Sequence, residues 1–386
     1  MTRTFLGYER GNGRVGIRNH VIVLSSVTCA NHVAQKIAQK TDTIPVVHET
    51  GCLQIGVDLE QGQRTILGVA TNPNVGAVLF VGLGCEQTRV KEMAASIRDK
   101  PSKYVLIQES GGTLQAIKDG ISIIEDMKQE ISGLQRKEFD ISALRVSLKC
   151  GGSDFTTALA SNAAVGVTSD ILVASGAGVF LTETPGFPGS EHILAKQAKN
   201  EEVAKQIYHI VEFYWNEVRS HFNREITDGN PSPGNFEGGI TTLVEKSMGT
   251  IKKGGTTPIQ GVLRFADDVS DKHGLWIMDT PGHDVYSVSG PAGGGCHMTM
   301  FTTGRGSPLG NAVMPVIKIV GNPETYIKME ENMDINAGTI MTGEKSIEEV
   351  GKEIFEMIIE VANGKVTKAE QLEHWEFAIP RIGSTI

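Results

Sequence analysis

Residues Asn72–Glu86 read NPNVGAVLFVGLGCE, and the stretch Ala77–Gly82 within them is apolar without alternation. A strand with one face in water alternates apolar and polar residues, whereas a continuous run fits a strand covered on both faces, as in a parallel sheet. Glycines and Cys85-Glu86 then follow as a turn. Outward from this run, similar β-rich segments occur at His20–Ser25, Ile44–His48, Tyr104–Gln108 and Arg145–Leu148. Helical patterns lie between them, near Ala30–Gln39, Glu60–Leu67, Gln87–Arg98 and Leu114–Ile131. Strands alternating with helices predict an α/β fold with a doubly wound, mostly parallel sheet.

The middle of the chain continues differently. Val165–Val173 and Gly178–Leu181 predict a further helix–strand step, and Glu191–Asn223 predicts one or two long helices. A polar hinge rich in turn formers follows at Thr227–Gly239. The last third alternates glycine-rich loops with short strands and closes on a helix near Ser346–Asn363. Two domains are expected: an α/β domain over residues 1–140, and a second α/β domain over 141–386 whose glycine-rich loops build a site.

Composition narrows the function classes. The net charge of -9 comes without any basic stripe, and Lys252-Lys253 is the longest basic cluster, so no nucleic-acid partner is expected. The apolar runs are far shorter than the roughly 20 residues a membrane helix needs, so no membrane partner is expected either. Met1–Arg10 lacks the apolar core of an export signal, which makes the cytoplasm the expected location. Five cysteines are an odd number, which favours reduced thiols or metal ligands over a disulfide framework. Glycine is abundant, 45 of 386 residues against a usual share near 7%.

Two phosphate-binding look-alikes fail on context. Gly11–Gly16 matches G-x-G-x-x-G but precedes its strand instead of following one. Gly249–Thr256 approaches a P-loop but places Gly255 where the lysine must stand.

Cys52, Cys85 and Cys150 each lie in a turn just after a predicted strand, and Cys29 does so less clearly. In an open parallel sheet these turns share the carboxyl edge, where ligands bind, so the thiols are candidates to converge on iron, zinc or an iron–sulfur cluster. Small cysteines packing at strand–helix junctions are the alternative. A second concentration runs through Asp279–Asp284, Gly293–His297 and Thr302–Ser307. Its loop amides suit an anion, Arg305 a carboxylate, and His283 and His297 proton transfer. The segment Gly13–His20 is either an anion clamp or a charged edge.

Six segments together resemble the altronate/galactarate dehydratase family. They are GYERGNGRVGIRN (Gly7–Asn19), NPNVGAVLFVGLGCE (Asn72–Glu86), KCGGSD (Lys149–Asp154), NPSPGNFEGGITTL (Asn230–Leu243), GCHMTMFTTGRG (Gly295–Gly306) and VANGK (Val361–Lys365). The resemblance covers nearly the whole chain. It implies removal of water from a hexonate or hexarate, altronate foremost, with ferrous iron as activator. Manganese is a possible substitute and an iron–sulfur cluster stays open.

On this resemblance Cys52, Cys85 and Cys150 are expected to hold the metal, with His48 or Asp154 as further ligands. Arg18, Asn19, Ser232, Asn235 and Arg305 are expected to orient the sugar acid, and His48, Lys149 and His297 to serve as base and acid. Family members often carry a small domain ahead of this region, so a separate small subunit is an expected partner, alongside a homo-oligomeric state. A related branch releases sulfite from sulfolactate and is taken to lack cysteines at positions 52 and 85, whose presence here favours dehydration. A non-catalytic sugar-acid-binding subunit is the reading from another class.

Overall fold

The computed structural model describes residues 3–383. Its strands, in chain order, are β1 (Thr4–Glu9), β2 (Val15–Gly16), β3 (His20–Ser25), β4 (Ile44–Val46), β5 (Val75–Gly82), β6 (Ser102–Leu106) and β7 (Lys137–Asp140). There follow β8 (Arg145–Cys150), β9 (Gly178–Leu181), β10 (Ile259–Leu263), β11 (Gly274–Met278), β12 (Met298–Thr303), β13 (Val316–Val320) and β14 (Ile335–Asn336). The chain is α/β, as the alternating pattern predicts, and the strands sort into three sheets. A small antiparallel sheet has the order β2-β1-β7, a four-stranded sheet β4-β3-β5-β6, and a seven-stranded sheet β10-β11-β9-β8-β12-β13-β14. Every pairing in the two larger sheets is parallel.

The continuous apolar run of β5 has the predicted cause, and three further strands share its burial. β5, β8, β12 and β13 are buried along their whole length, with helices on both faces. Phe180 and Phe301 are fully buried, and each contributes about 1.5–3 kcal/mol relative to exposure. One helical stretch, Thr157–Ala174, is long and apolar enough to cross a membrane, which the reading of short apolar runs does not anticipate. It packs against the helix Ile347–Ala362 as a core element of the large sheet.

The glycine-rich segment ending in Gly293–Gly295 departs from the expectation of an anion-binding loop. Asp284–Gly294 is a helix, and Gly295 caps it in the left-handed region with φ 93°. Its glycines serve close packing. The helix Gly56–Thr71 crosses it so tightly that a Cβ on Gly68 would sit 1.9 Å from the carbonyl oxygen of Gly293. This contact joins the elements of the two parallel sheets.

Strand order marks where a ligand fits. In the large sheet the chain leaves β8 toward β9 and β11 on one side, then resumes on the other side with β12. The loops after β8 and β12 therefore diverge and leave a crevice at the carboxyl edge. The four-stranded sheet has its own such point, between β3 and β5.

Candidate active site

The crevice between β8 and β12 holds a buried cluster of charges. Lys149, in β8, is 1% exposed. Its Nζ donates to Glu183 Oε1 at 2.6 Å and to the carbonyls of Cys150 at 2.7 Å and Gly282 at 3.3 Å. Asp284 Oδ1 lies 3.0 Å away. The three donors of this ammonium are thus fully engaged. Burial disfavours its charge, but Glu183 and Asp284 outweigh burial and raise its pKa above the ordinary lysine value. Lys149 is a fixed cation, and the base role considered for it is corrected on that ground.

Glu183 ties the cluster together. It stands two residues past β9, with φ 64° in the left-handed region that non-glycine residues avoid. Its carboxylate also accepts from the backbone N–H of Cys150 at 2.6 Å and from Lys253 Nζ at 3.0 Å. Burial opposes its ionisation, yet Lys149 and Lys253 hold its pKa below the ordinary value. The Cys150 thiol lies 3.6 Å from both Glu183 Oε1 and Thr250 Oγ1. Asp284, at the start of its helix, is the member that meets solvent, its side chain 35% exposed. Gly151 makes the approach possible: a Cβ there would lie 2.5 Å from Asp284 Oδ2 and 2.7 Å from the Phe301 ring.

A polar rim continues the site over the loops after β8 and β12. Asp154 Oδ1 accepts from Thr156 Oγ1 at 2.5 Å and from the Thr157 backbone at 3.1 Å, and Oδ2 accepts from Asn322 at 3.2 Å. The helix begins here as a π-turn, Thr157–Ser161, a distortion that gathers at functional sites. Arg305 pairs with Glu237 at 2.9 Å and, with Asp154 and Lys328, lines an open cleft of about 450 Å³. Ser232 and Asn235 also reach this region, where they build the loop. Ser232 Oγ donates to Asn235 Oδ1 at 3.0 Å, and Asn235 Nδ2 donates to the Ser153 carbonyl at 2.8 Å. Lys246 Nζ donates to the side-chain oxygens of Asn230 and Asn235, at 2.6 and 2.9 Å. A roomier cavity of about 570 Å³ opens near Arg3, Asp140 and Glu356, but its carboxylates already serve Ser142 and Arg3.

Four expected site residues lie elsewhere. His297 is buried at the amino end of β12, where its two ring nitrogens meet the Val15 carbonyl and the Arg145 N–H. His48 is buried beyond β4, its nitrogens meeting the Ser25 carbonyl and Thr50. Burial pushes both pKa values down to about 4, and no ring nitrogen is left for a substrate. Arg18 forms a buried ion pair with Glu370 and donates to the carbonyls of Ile17, Val361 and Lys365, pinning the C-terminal segment. Asn19 accepts from Arg10 at the amino end of β3. In His48, His297 and Arg18 every side-chain nitrogen is already matched, and the Asn19 carbonyl oxygen is taken by Arg10, so their bonds serve the fold.

The cysteines do not converge. Cys29, Cys52 and Cys85 are exposed on loops at the carboxyl edge of the four-stranded sheet, two of which are joined by a bond from the Leu53 N–H to Gln87. Cys150 is buried at the edge of the other sheet. Among the described residues no three His, Cys, Asp or Glu side chains stand close enough to share a metal ion. The expected three-thiolate set therefore does not fit an iron ion.

Glu183, Lys253 and Lys246 are the residues that sequence reasoning missed, and Asp284 closes a segment it singled out without giving that residue a role. Glu183 carried a signal, since Thr182–Gly186 follows a predicted strand. Lys253 lies inside the longest basic pair of the sequence, and only the fold brings it to Glu183.

Comparison with known proteins agrees with this architecture. The profile "D-galactarate dehydratase/Altronate hydrolase, second domain" matches residues 7–132. "D-galactarate/Altronate dehydratase, C-terminal" matches residues 141–385. An altronate dehydratase of Bacillus subtilis is 34% identical over 100% of this chain and 79% of its own length. A (2R)-sulfolactate sulfo-lyase subunit beta of Chromohalobacter salexigens is 36% identical over 98% of both chains. A galactarate dehydratase (L-threo-forming) of Escherichia coli is 35% identical over 94% of this chain and 73% of its own. With both profiles and full-length relatives in agreement, the chain belongs to the D-galactarate/altronate dehydratase family.

Proposed function

We propose that this protein is a carbon–oxygen lyase that removes water from a sugar acid, D-altronate foremost, to give a 2-keto-3-deoxy acid. The observation that carries the reading is the Lys149–Asp284 pair at the crevice of the large sheet, in a chain whose relatives are named dehydratases. A hydrogen alpha to a carboxylate is hard to remove because its loss builds a second negative charge, so fixed cations must sit beside that position.

Lys149, held protonated, supplies such a charge, and Arg305 and Lys246 attract and orient the carboxylate. Asp284, the solvent-facing carboxylate, takes the alpha proton. The C–H electron pair is first held as the enediolate; as it moves into the new carbon–carbon double bond the beta hydroxyl leaves, taking a proton from solvent to become water, and the enol tautomerises to the keto acid. Ferrous iron belongs to the proposal on the family resemblance alone. Because the donors present do not make one site for it, no step is routed through a metal.

A second reading is sulfite release from sulfolactate, favoured by one observation. The sulfo-lyase subunit is 36% identical to this chain, as similar to it as the dehydratases at 34% and 35%. That relative is named a subunit, so a small partner chain is part of either reading. The deciding experiment offers altronate, galactarate and sulfolactate to the purified protein, with and without ferrous iron and a small-domain partner. Keto-acid formation from a sugar acid supports dehydration, sulfite release supports the second reading, and tight binding without turnover of any acid would favour a binding subunit.

A further inference from the structure

Lys318, in β13, is fully buried and its Nζ makes no hydrogen bond. A buried ammonium without a partner is costly, and such a group needs a reason. The register supplies its address. Phe301 of β12 is the direct cross-strand neighbour of Lys149 on one side and of Lys318 on the other. All three side chains therefore share one face of the sheet, and Lys318 Nζ stands 3.8 Å from the centre of the Phe301 ring. The same ring packs at Gly151 beside Asp284.

We propose that Lys318 is a positioning residue of this site, a buried amine whose charge is felt by the Asp284–Lys149 pair across the Phe301 ring. The inference rests on the lyase reading of that pair. The charged groups around Lys318 come from four elements. Asp284 on its helix, Asp334 before β14 and Glu376 in the C-terminal segment favour its protonated form, while Lys149 on β8 disfavours it. Burial is stronger than these and lowers its pKa to about 7. An amine poised there is charged on the acid side of neutrality and neutral on the alkaline side. When charged, it adds a cation behind the point where the enediolate forms; when neutral, that support is gone. Turnover should accordingly fall as pH rises through this midpoint.

Lysine labelled with carbon-13 at Cε reports the titration without any need for activity. The wild type is expected to show a signal titrating near neutrality that disappears in Lys318→Met and persists in Lys100→Met, since burial also lowers Lys100 to about 7. In Asp284→Asn the same signal should shift to a lower midpoint, because a favourable neighbour has been removed. The pH profile of kcat should lose its inflection in Lys318→Met, an effect that repacking alone would not produce. Methionine keeps the volume and the apolar contacts, so the variant is expected to fold. The inference is overturned if no signal near neutrality belongs to Lys318, if its midpoint ignores Asp284→Asn, or if Lys318→Met keeps the wild-type profile. A protein that turns over none of the acids but shows both titration results would instead sink the lyase reading and leave the coupling standing.

Discussion

The two parallel sheets each have a switch point, and the chain equips them in opposite ways. At the carboxyl edge of the seven-stranded sheet, two lysines and a glutamate are withdrawn from water and matched to one another, with only Asp284 left facing out. At the carboxyl edge of the four-stranded sheet, Cys29, Cys52 and Cys85 are exposed. There Glu86 accepts from Ser26 at 2.7 Å and from the Gly84 N–H at 2.7 Å. Topology alone nominates both edges. What separates them is electrostatic organisation: charges fixed in a dry crevice act on a developing anion far more strongly than groups that water already solvates.

The largest effect should come from breaking the buried cluster at its hub. Glu183→Gln leaves Lys149 and Lys253 without their shared counter-charge, and removing one partner of a buried ion pair costs about 3–5 kcal/mol. Chemical denaturation should reveal that loss together with collapse of activity. An unchanged denaturation midpoint would mean the cluster is not the organising feature claimed here.

A smaller effect is expected at the rim. Arg305→Ala should raise KM about tenfold with little change in kcat, as loss of one charged hydrogen bond to the substrate carboxylate predicts. A kcat defect with constant KM would move Arg305 into the chemistry itself.

Acid pH sharpens the contrast between charge kept for chemistry and polarity kept for folding. His48 and His297 are buried neutral, with pKa values lowered from 6.5 to about 4. The unfolded chain therefore binds more protons than the folded one across this range. Stability is fully present above about pH 6.5 and is lost as pH falls toward 4. Denaturation midpoints measured from pH 7 to 4 should fall for the wild type, and less steeply for His48→Asn. A parallel fall in both would remove His48 from the account.

The smallest effect is assigned to the other edge. Cys85→Ser exchanges one exposed, small side chain for another, and such changes stay within about 0.5 kcal/mol. Activity within about twofold of the wild type is expected. A loss of turnover together with bound iron would restore the thiol edge as a metal site.

The fold was largely legible. His20–Ser25 is β3 to the residue, the unalternating run at Ala77–Gly82 reported a strand buried on both faces, and Arg145–Leu148 falls within β8. The short antiparallel strands β1, β2 and β7 carried no such signal, and neither did the helix Asp284–Gly294, because packing of its glycines against another helix overrides their low helix propensity.

The site was legible in its loops and not in its chemistry. Lys149, Cys150, Asp154 and Arg305 came from motifs that follow strands, which the sheet topology places together. Glu183 and Lys253 are 70 residues apart and meet only in three dimensions. His48 and His297 misled for the complementary reason, since residue type shows that a histidine can titrate and only its neighbours show that both nitrogens are satisfied.

The most direct test compares the two edges in one assay. Formation of 2-keto-3-deoxy acid from D-altronate would be followed for the wild type, Asp284→Asn and the double variant Cys52→Ser/Cys85→Ser. Loss of a positioned base lowers kcat by about 10²–10⁴-fold. The account predicts that loss for Asp284→Asn, in a protein that still denatures like the wild type, and near-normal turnover for the double variant. The reverse pattern, with Asp284→Asn active and the thiol variant dead, would contradict it.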